Sequence, residues 1–210
     1  MKLRTFQTVE ELIFQCLATF RKILPILGTA DGVMLAGGKT PLEIYRRAAA
    51  ENLTTAGKLF LSDERYVPAA DPQSNYGTIS PFFPGLLKIR TELTIDSAAQ
   101  EFHDSLSRLK NIPLGLLGLG ADGHTASLFN LKDAALRDER LAIPVIKTEK
   151  PDRISVTPAL LCRIGKIIIL ATGAEKKAMI QTLLEKPETI PVGVALKDHP
   201  NVEVWTDQII

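Results

Sequence analysis

Three apolar runs in this chain end directly in glycine, and no other feature constrains its fold as tightly. They are VMLAGG (Val33 to Gly38), IPLGLLGLG (Ile112 to Gly120) and KIIILATG (Lys166 to Gly173). A short apolar run bounded by a turn signal reads as a fully buried strand. The segments after the first and third runs, TPLEIYRRA and AEKKAMIQTLL, carry apolar residues at helical spacing. Strands alternating with such helices give an α/β architecture, a mostly parallel sheet flanked by helices.

The remaining elements follow from caps and breakers. Thr8 and Glu11 form a capping box ahead of Leu12, Cys16, Phe20, Ile23 and Leu27, until GTADG ends that helix. Thr40, Pro41 and Glu43 read as N-cap, N1 proline and capping-box acid of a second helix, with Leu42, Tyr45 and Ala49 on one face. KLFLS is a strand, Ala98 to Leu109 an amphipathic helix, and NVEVW the last strand. Asp63 to Gly85, with four prolines, reads as a long loop with one helical turn. No repeat, low-complexity tract or linker divides residues 1–210, so one domain is expected.

Charge narrows the function. The chain carries 25 basic and 24 acidic residues, a net charge of +1, which gives no general attraction for nucleic acid or anionic lipid. An anionic ligand must be drawn in locally. The start MKLRTFQTVEELIF places acids before any apolar run, unlike a signal peptide. The run Ile167 to Ala171 is too short to span a bilayer. Cys16 and Cys162 share no metal-ligand or redox spacing and lie in apolar surroundings, so both are expected as buried thiols of a reducing compartment. A soluble, cytoplasmic protein with no obligate protein partner is expected.

GKT at 38–40 invites comparison with a nucleotide-binding P-loop, but the register fails. That motif needs a glycine at 33, where this chain has Val33. What remains is a strand, a glycine pair and a helix start, which still suits an anion. Four segments follow predicted strands directly: Gly37–Thr40, Asp63–Arg65, Gly118–His124 and Gly173–Lys176. In open α/β sheets ligands sit outside the carboxyl ends of the strands, so these four form one expected composite site.

Each segment offers distinct chemistry. GLGADGHTASLF sets Asp122 and His124 in a glycine-rich frame, two groups suited to proton transfer or to orienting one another. Gly37, Gly38 and Thr40 offer N–H groups and a hydroxyl to an anion, although Thr40 could equally only cap its helix. Lys176 stands in a first helical turn, where the dipole disfavours a cation, and so calls for an anionic partner. Asp63-Glu64-Arg65 is either a surface charge cluster or a source of Arg65 for phosphate and an acid for sugar hydroxyls. Arg153 opens a strand rather than following one, and position alone does not single it out. His103 and His199 read as solvated or structural. No group of residues has zinc-ligand spacing.

Together these residues resemble the 6-phosphogluconolactonase family and, more distantly, the glucosamine-6-phosphate isomerase/deaminase group that shares its fold. The matching segments are LAGGKTP, FLSDERYVP with the later SNYG, LLGLGADGHTASLF, RISVTPALL and ILATGAEKKA, in family order across about residues 33–180. The resemblance implies a Rossmann-like, NagB/CoA-transferase-like fold, no metal and no cofactor. The implied substrate is a sugar-phosphate lactone, 6-phosphogluconolactone, hydrolysed to 6-phosphogluconate in the oxidative pentose phosphate pathway. His124 falls on the family's catalytic histidine and Asp122 on the acid that accompanies it. Gly37, Gly38, Thr40, Arg65, Arg153 and Lys176 fall on substrate or phosphate positions, with Asp63 beside them. Lys39 replaces a small polar residue of the family, which either reshapes the first loop or adds a cation for phosphate. Asn130 replaces a common proline, and the chain is somewhat short for the family. The isomerase/deaminase motif has an acid five residues beyond the histidine; here that position is Phe129.

Overall fold

A computed structural model describes residues 1–210. In chain order the elements are β1 (Lys2–Thr5), α1 (Val9–Ile23), β2 (Asp31–Leu35), α2 (Lys39–Ala50), β3 (Lys58–Leu61), β4 (Asp63–Arg65), α3 (Asn75–Ile79), α4 (Ile95–Ser107) and β5 (Asn111–Gly118). Then come α5 (Leu131–Ala134), β6 (Ala142–Val145), β7 (Arg153–Val156), α6 (Pro158–Leu161), β8 (Ile167–Leu170), α7 (Lys177–Glu185), α8 (Pro191–Ala195) and β9 (Val202–Thr206).

Six strands form a sheet in the order β1-β9-β8-β5-β2-β3, and every neighbouring pair is parallel. Successive residues along a strand face opposite sides of this sheet. Val33 and Leu35 of β2, with Ile168 and Leu170 of β8, meet Leu12, Cys16 and Phe20 of α1 and Ile44 of α2. Met34, Ile167 and Ile169 point the other way, toward Phe102 and Leu106 of α4 and Ile180 of α7. Burying each such aliphatic side chain contributes about 1.5–3 kcal/mol, so packing on both faces anchors the sheet between its helix layers. The mostly parallel sheet flanked by helices is as expected.

The strand order also locates the cleft. From β2 the chain runs outward to β3, then returns to place β5 on the other side of β2. The loops after β2 and β5 therefore diverge, and a crevice opens between them at this switch point.

Several local expectations are corrected. Thr40 does not cap α2: Gly38 is the N-cap, at φ 111°, and no side chain caps this end. Pro41 is then the third helical residue, and Glu43 pairs with Arg46 and Arg47 instead of closing a capping box. Asp63–Arg65 is not loop but a strand of a second sheet, three-stranded and antiparallel, in the order β4-β7-β6. The edge strand β1 was also not foreseen; all four of its residues are exposed, so no apolar pattern marks it. Arg4 from this strand lies over the ring of the buried Trp205, 4.9 Å from its centre. Finally, Cys16 is buried but Cys162 is exposed. Leu160 and Leu161 take the inward positions of the one-turn α6, which leaves Cys162 at its C-cap facing out.

Candidate active site

The turn after β5 is built around a glycine with no room for a side chain. A Cβ on Gly120 would lie 2.2 Å from His124 Nδ1 and 2.7 Å from Asp122 Oδ1. Gly123 N–H donates to Gly120 O (3.1 Å) and Gly120 N–H to His124 O (2.8 Å), folding the chain back on itself. His124 Nδ1 thereby meets Asp122 Oδ1, which also accepts from the His124 N–H at 3.2 Å. Burial raises the Asp122 carboxyl, but these hydrogen bonds from His124 outweigh it and hold it below its ordinary value. Asp122 is thus a carboxylate, which only accepts, so Nδ1 carries the proton. In the neutral ring, Nε2 is then the lone-pair nitrogen. Phe129 packs against that ring, centroids 4.6 Å apart.

The glycine loop after β2 is held from below. The buried Tyr45 hydroxyl accepts from Ala36 N–H (3.0 Å) and donates to Ala36 O (2.9 Å), fixing the point where strand becomes loop. Thr40 Oγ1 meets Thr172 Oγ1 at 2.7 Å, tying this loop to the one after β8. Thr40 therefore serves as a tertiary tie and not as a helix cap.

The second sheet supplies charge. Along β4 alternate residues face opposite ways: Glu64 is buried while Asp63 and Arg65 reach the cleft. Glu64 accepts from the N–H groups of Arg65 (2.7 Å), Asn75 (2.8 Å) and Tyr76 (2.6 Å) and from Ser74 Oγ (3.1 Å), which seats the start of α3. Asp63 accepts from Ser62 Oγ (2.9 Å) and Ser127 Oγ (2.7 Å), so its carboxylate is held rigidly. Arg65 lies directly opposite Arg153 in the β4–β7 ladder. Like charges directly opposite destabilise a sheet unless an anion lies between them. Burial, and then the Arg65 charge, lower the Arg153 pKa.

All of this converges on one cleft of about 680 Å³. Gly37, Gly38, Lys39 and Thr40 line one side, Asp63, Arg65 and Arg153 another, and His124 and Lys176 the rest. Asp122 does not line it and reaches it only through His124. Lys177 stays outside. His103 accepts from Leu141 N–H (3.0 Å), and His199 bridges Ile164 O and Asn201 N–H, so both are structural.

The family profile of glucosamine-6-phosphate isomerases/6-phosphogluconolactonase matches residues 7–205. The chain belongs to this family. It is 31% identical to the 6-phosphogluconolactonase of Haemophilus influenzae over 194 residues, covering 82% of each chain. It is 29% identical to the human GDH/6PGL endoplasmic bifunctional protein, matching 81% of this chain but only 24% of that longer protein. The crystal structure of 6-phosphogluconolactonase from Thermotoga maritima superposes with a TM-score of 0.80 at 26% identity, over 97% of this chain and 96% of that one.

For this family member, reasoning from sequence missed several residues of the cleft. Asn75 sits beneath Gly37 and donates from Nδ2 to Asp63 O (3.0 Å). Lys147 and Glu175 add charge, and Thr172 and Ser127 add hydroxyls. Thr172 directly follows an apolar run, a signal that was available. Lys147 lies beyond β6, a strand with no turn signal to flag it.

Proposed function

We propose that this protein hydrolyses 6-phosphogluconolactone to 6-phosphogluconate, the lactonase step of the oxidative pentose phosphate pathway. The observation that carries this reading is the His124–Asp122 pair at a cation-lined cleft, with Phe129 rather than an acid packed on the imidazole. The isomerase/deaminase chemistry of the wider family needs an acid at that place to open a sugar ring. A phenyl ring cannot supply a proton.

In this scheme Arg65, Arg153 and Lys176, with Lys39 and the loop Gly37–Thr40, bind the phosphate dianion by charge-assisted hydrogen bonds. The rigid carboxylate of Asp63 accepts from sugar hydroxyls. His124 Nε2 takes a proton from water as the water oxygen bonds to the lactone carbonyl carbon. Backbone N–H groups of the glycine loops stabilise the oxyanion. Its collapse breaks the bond to the ring oxygen, which receives the proton from Nε2. Asp122 keeps the proton on Nδ1 throughout and stabilises the imidazolium. No metal or cofactor takes part, and neither nucleic acid nor membrane is a partner. No helix is long and apolar enough to cross a membrane. An exposed, unpaired Cys162 suits a reducing cytoplasm.

The test is a coupled assay with freshly generated 6-phosphogluconolactone, reading the rate above the spontaneous blank. Acceleration is expected. Absence of acceleration, with ammonia released from glucosamine 6-phosphate instead, would transfer the protein to the isomerase branch.

A further inference from the structure

Lys147 is a half-buried ammonium in the cleft with no carboxylate to neutralise it. Glu149, two residues on, makes no ion pair with it, and Asp152 accepts from Lys150 Nζ (2.6 Å) and from the Lys147 backbone N–H (2.9 Å). This bond fixes the backbone but leaves the Lys147 side chain free. At the end of β6 Val145 is buried; just beyond it Ile146 is exposed, and Lys147 is again half-buried and lines the cleft. Its Nζ lies 3.8 Å from the centre of the Phe129 ring, and that ring packs 4.6 Å from the imidazole of His124. A cation held on an aromatic face is oriented without being neutralised. Lys147 thus stands one aromatic ring away from the proposed base, on a hairpin separate from the glycine loops.

We propose that Lys147 binds the C1 end of the substrate, where it stabilises the developing oxyanion and then holds the carboxylate of the product. This deepens the lactonase reading and rests on it. Chemistry supports a second anion site here: the product carries a carboxylate at one end and a phosphate at the other. The Arg65–Arg153 pair and Lys176 account for the phosphate. Lys147 is the remaining cation that contacts a ring touching His124. Phe129 has two functions in this arrangement. It excludes the acid that ring-opening chemistry requires, and it fixes the ammonium.

The experiment compares two ligands that share a phosphate and differ at C1, 6-phosphogluconate and glucitol 6-phosphate, by calorimetric titration into wild type, Lys147→Met and Lys147→Arg. Met keeps the apolar stem against Phe129 and removes only the charge. Lys147→Met should weaken 6-phosphogluconate about 10- to 100-fold, the range for a charge-assisted contact, while glucitol 6-phosphate stays within about twofold. Lys147→Arg should recover most of the lost affinity. In the lactone assay Lys147→Met should lower kcat more than it raises KM. Unchanged 6-phosphogluconate affinity in a variant with wild-type Tm would overturn the assignment, and so would equal weakening of both ligands, which would move Lys147 to the phosphate end. The titrations need no turnover, so failure of the lactone assay in wild type reports on the proposed function and not on Lys147.

Discussion

The six-stranded sheet is clamped by aliphatic side chains on both faces, whereas the strand β4 of the smaller sheet is held by one buried carboxylate, Glu64, and its four donors. The two sheets also bring different chemistry to the cleft. The parallel sheet ends in glycine turns that shape backbone and hold the His124–Asp122 pair. The antiparallel sheet contributes the opposed Arg65 and Arg153, and the hairpin after β6 adds Lys147. Apolar packing can set a turn to within tenths of an ångström, but it cannot hold like charges together. A polar network can, because its donors and acceptors fix direction as well as distance. If this division of labour is right, substitution of the His124–Asp122 pair should change the rate, and substitution of the phosphate-end cations Arg65, Arg153 and Lys176 should change binding.

The sharpest test on the parallel side is His124→Asn. Losing a general base should lower kcat by about 10²–10⁴, with KM little changed, because the proposed phosphate contacts lie on other elements. Steady-state kinetics with blank subtraction measures both constants. A KM rise matching the kcat fall would mean His124 binds substrate rather than reacting with it, and the two sides would no longer separate. Lys176→Ala is the counterpart. Lys176 reaches the cleft from the turn after Gly173, and its loss should weaken 6-phosphogluconate by about 1.5–3 kcal/mol in a titration. Unchanged affinity in a folded variant would remove Lys176 from the phosphate site.

The difference between the sheets also explains what could be read from sequence. β2, β5 and β8 are apolar because both faces are buried, so hydrophobic pattern alone revealed them, and the glycines that end them marked the site loops. β4 is only three residues, all charged, and its single inward residue is an acid. No periodicity argument finds such a strand. β1 escaped for the opposite reason, being exposed throughout. Arg153 illustrates the consequence. It opens β7, and only the antiparallel pairing with β4 brings that end of the strand to the cleft. The match to family motifs marked the residue, and the geometry supplies the reason. Lys147 had neither signal. Thr40 departs from the expected cap because a tertiary contact to Thr172 takes the hydroxyl that a threonine near a helix start usually gives to its own backbone.

Tyr45→Phe probes how the parallel sheet shapes its loop. The hydroxyl both accepts from and donates to Ala36, and Phe keeps the ring packing against Phe20 and Phe83. Removing both bonds should cost about 1–3 kcal/mol in urea denaturation, without a large change in kcat. A stability loss near zero would show that apolar packing alone sets the loop.

Glu64 gives the smallest and most selective effect. Burial raises its carboxyl above the ordinary value, against the pull of the hydrogen bonds from Tyr76, Asn75, Arg65 and Ser74. The sign follows from linkage. Where the folded-state pKa is the higher one, the folded protein binds more protons than the unfolded chain. The group's favourable contribution is complete below the unfolded value, about 4.3, and is lost as pH rises through the folded value. A single proton limits this slope to about 1.4 kcal/mol per pH unit. In Glu64→Gln that component should vanish, so stability should depend less on pH across the window just above 4.3. The level of stability should fall at every pH, because the amide nitrogen faces donors and leaves them unpaired. Slope and level therefore report different things, and urea melts of both proteins at several pH values separate them. If the slopes coincide while the level falls, Glu64 is ionised throughout and its four donors have outweighed burial. In that case the smaller sheet is anchored by a full negative charge, set beneath the arginines that line the cleft.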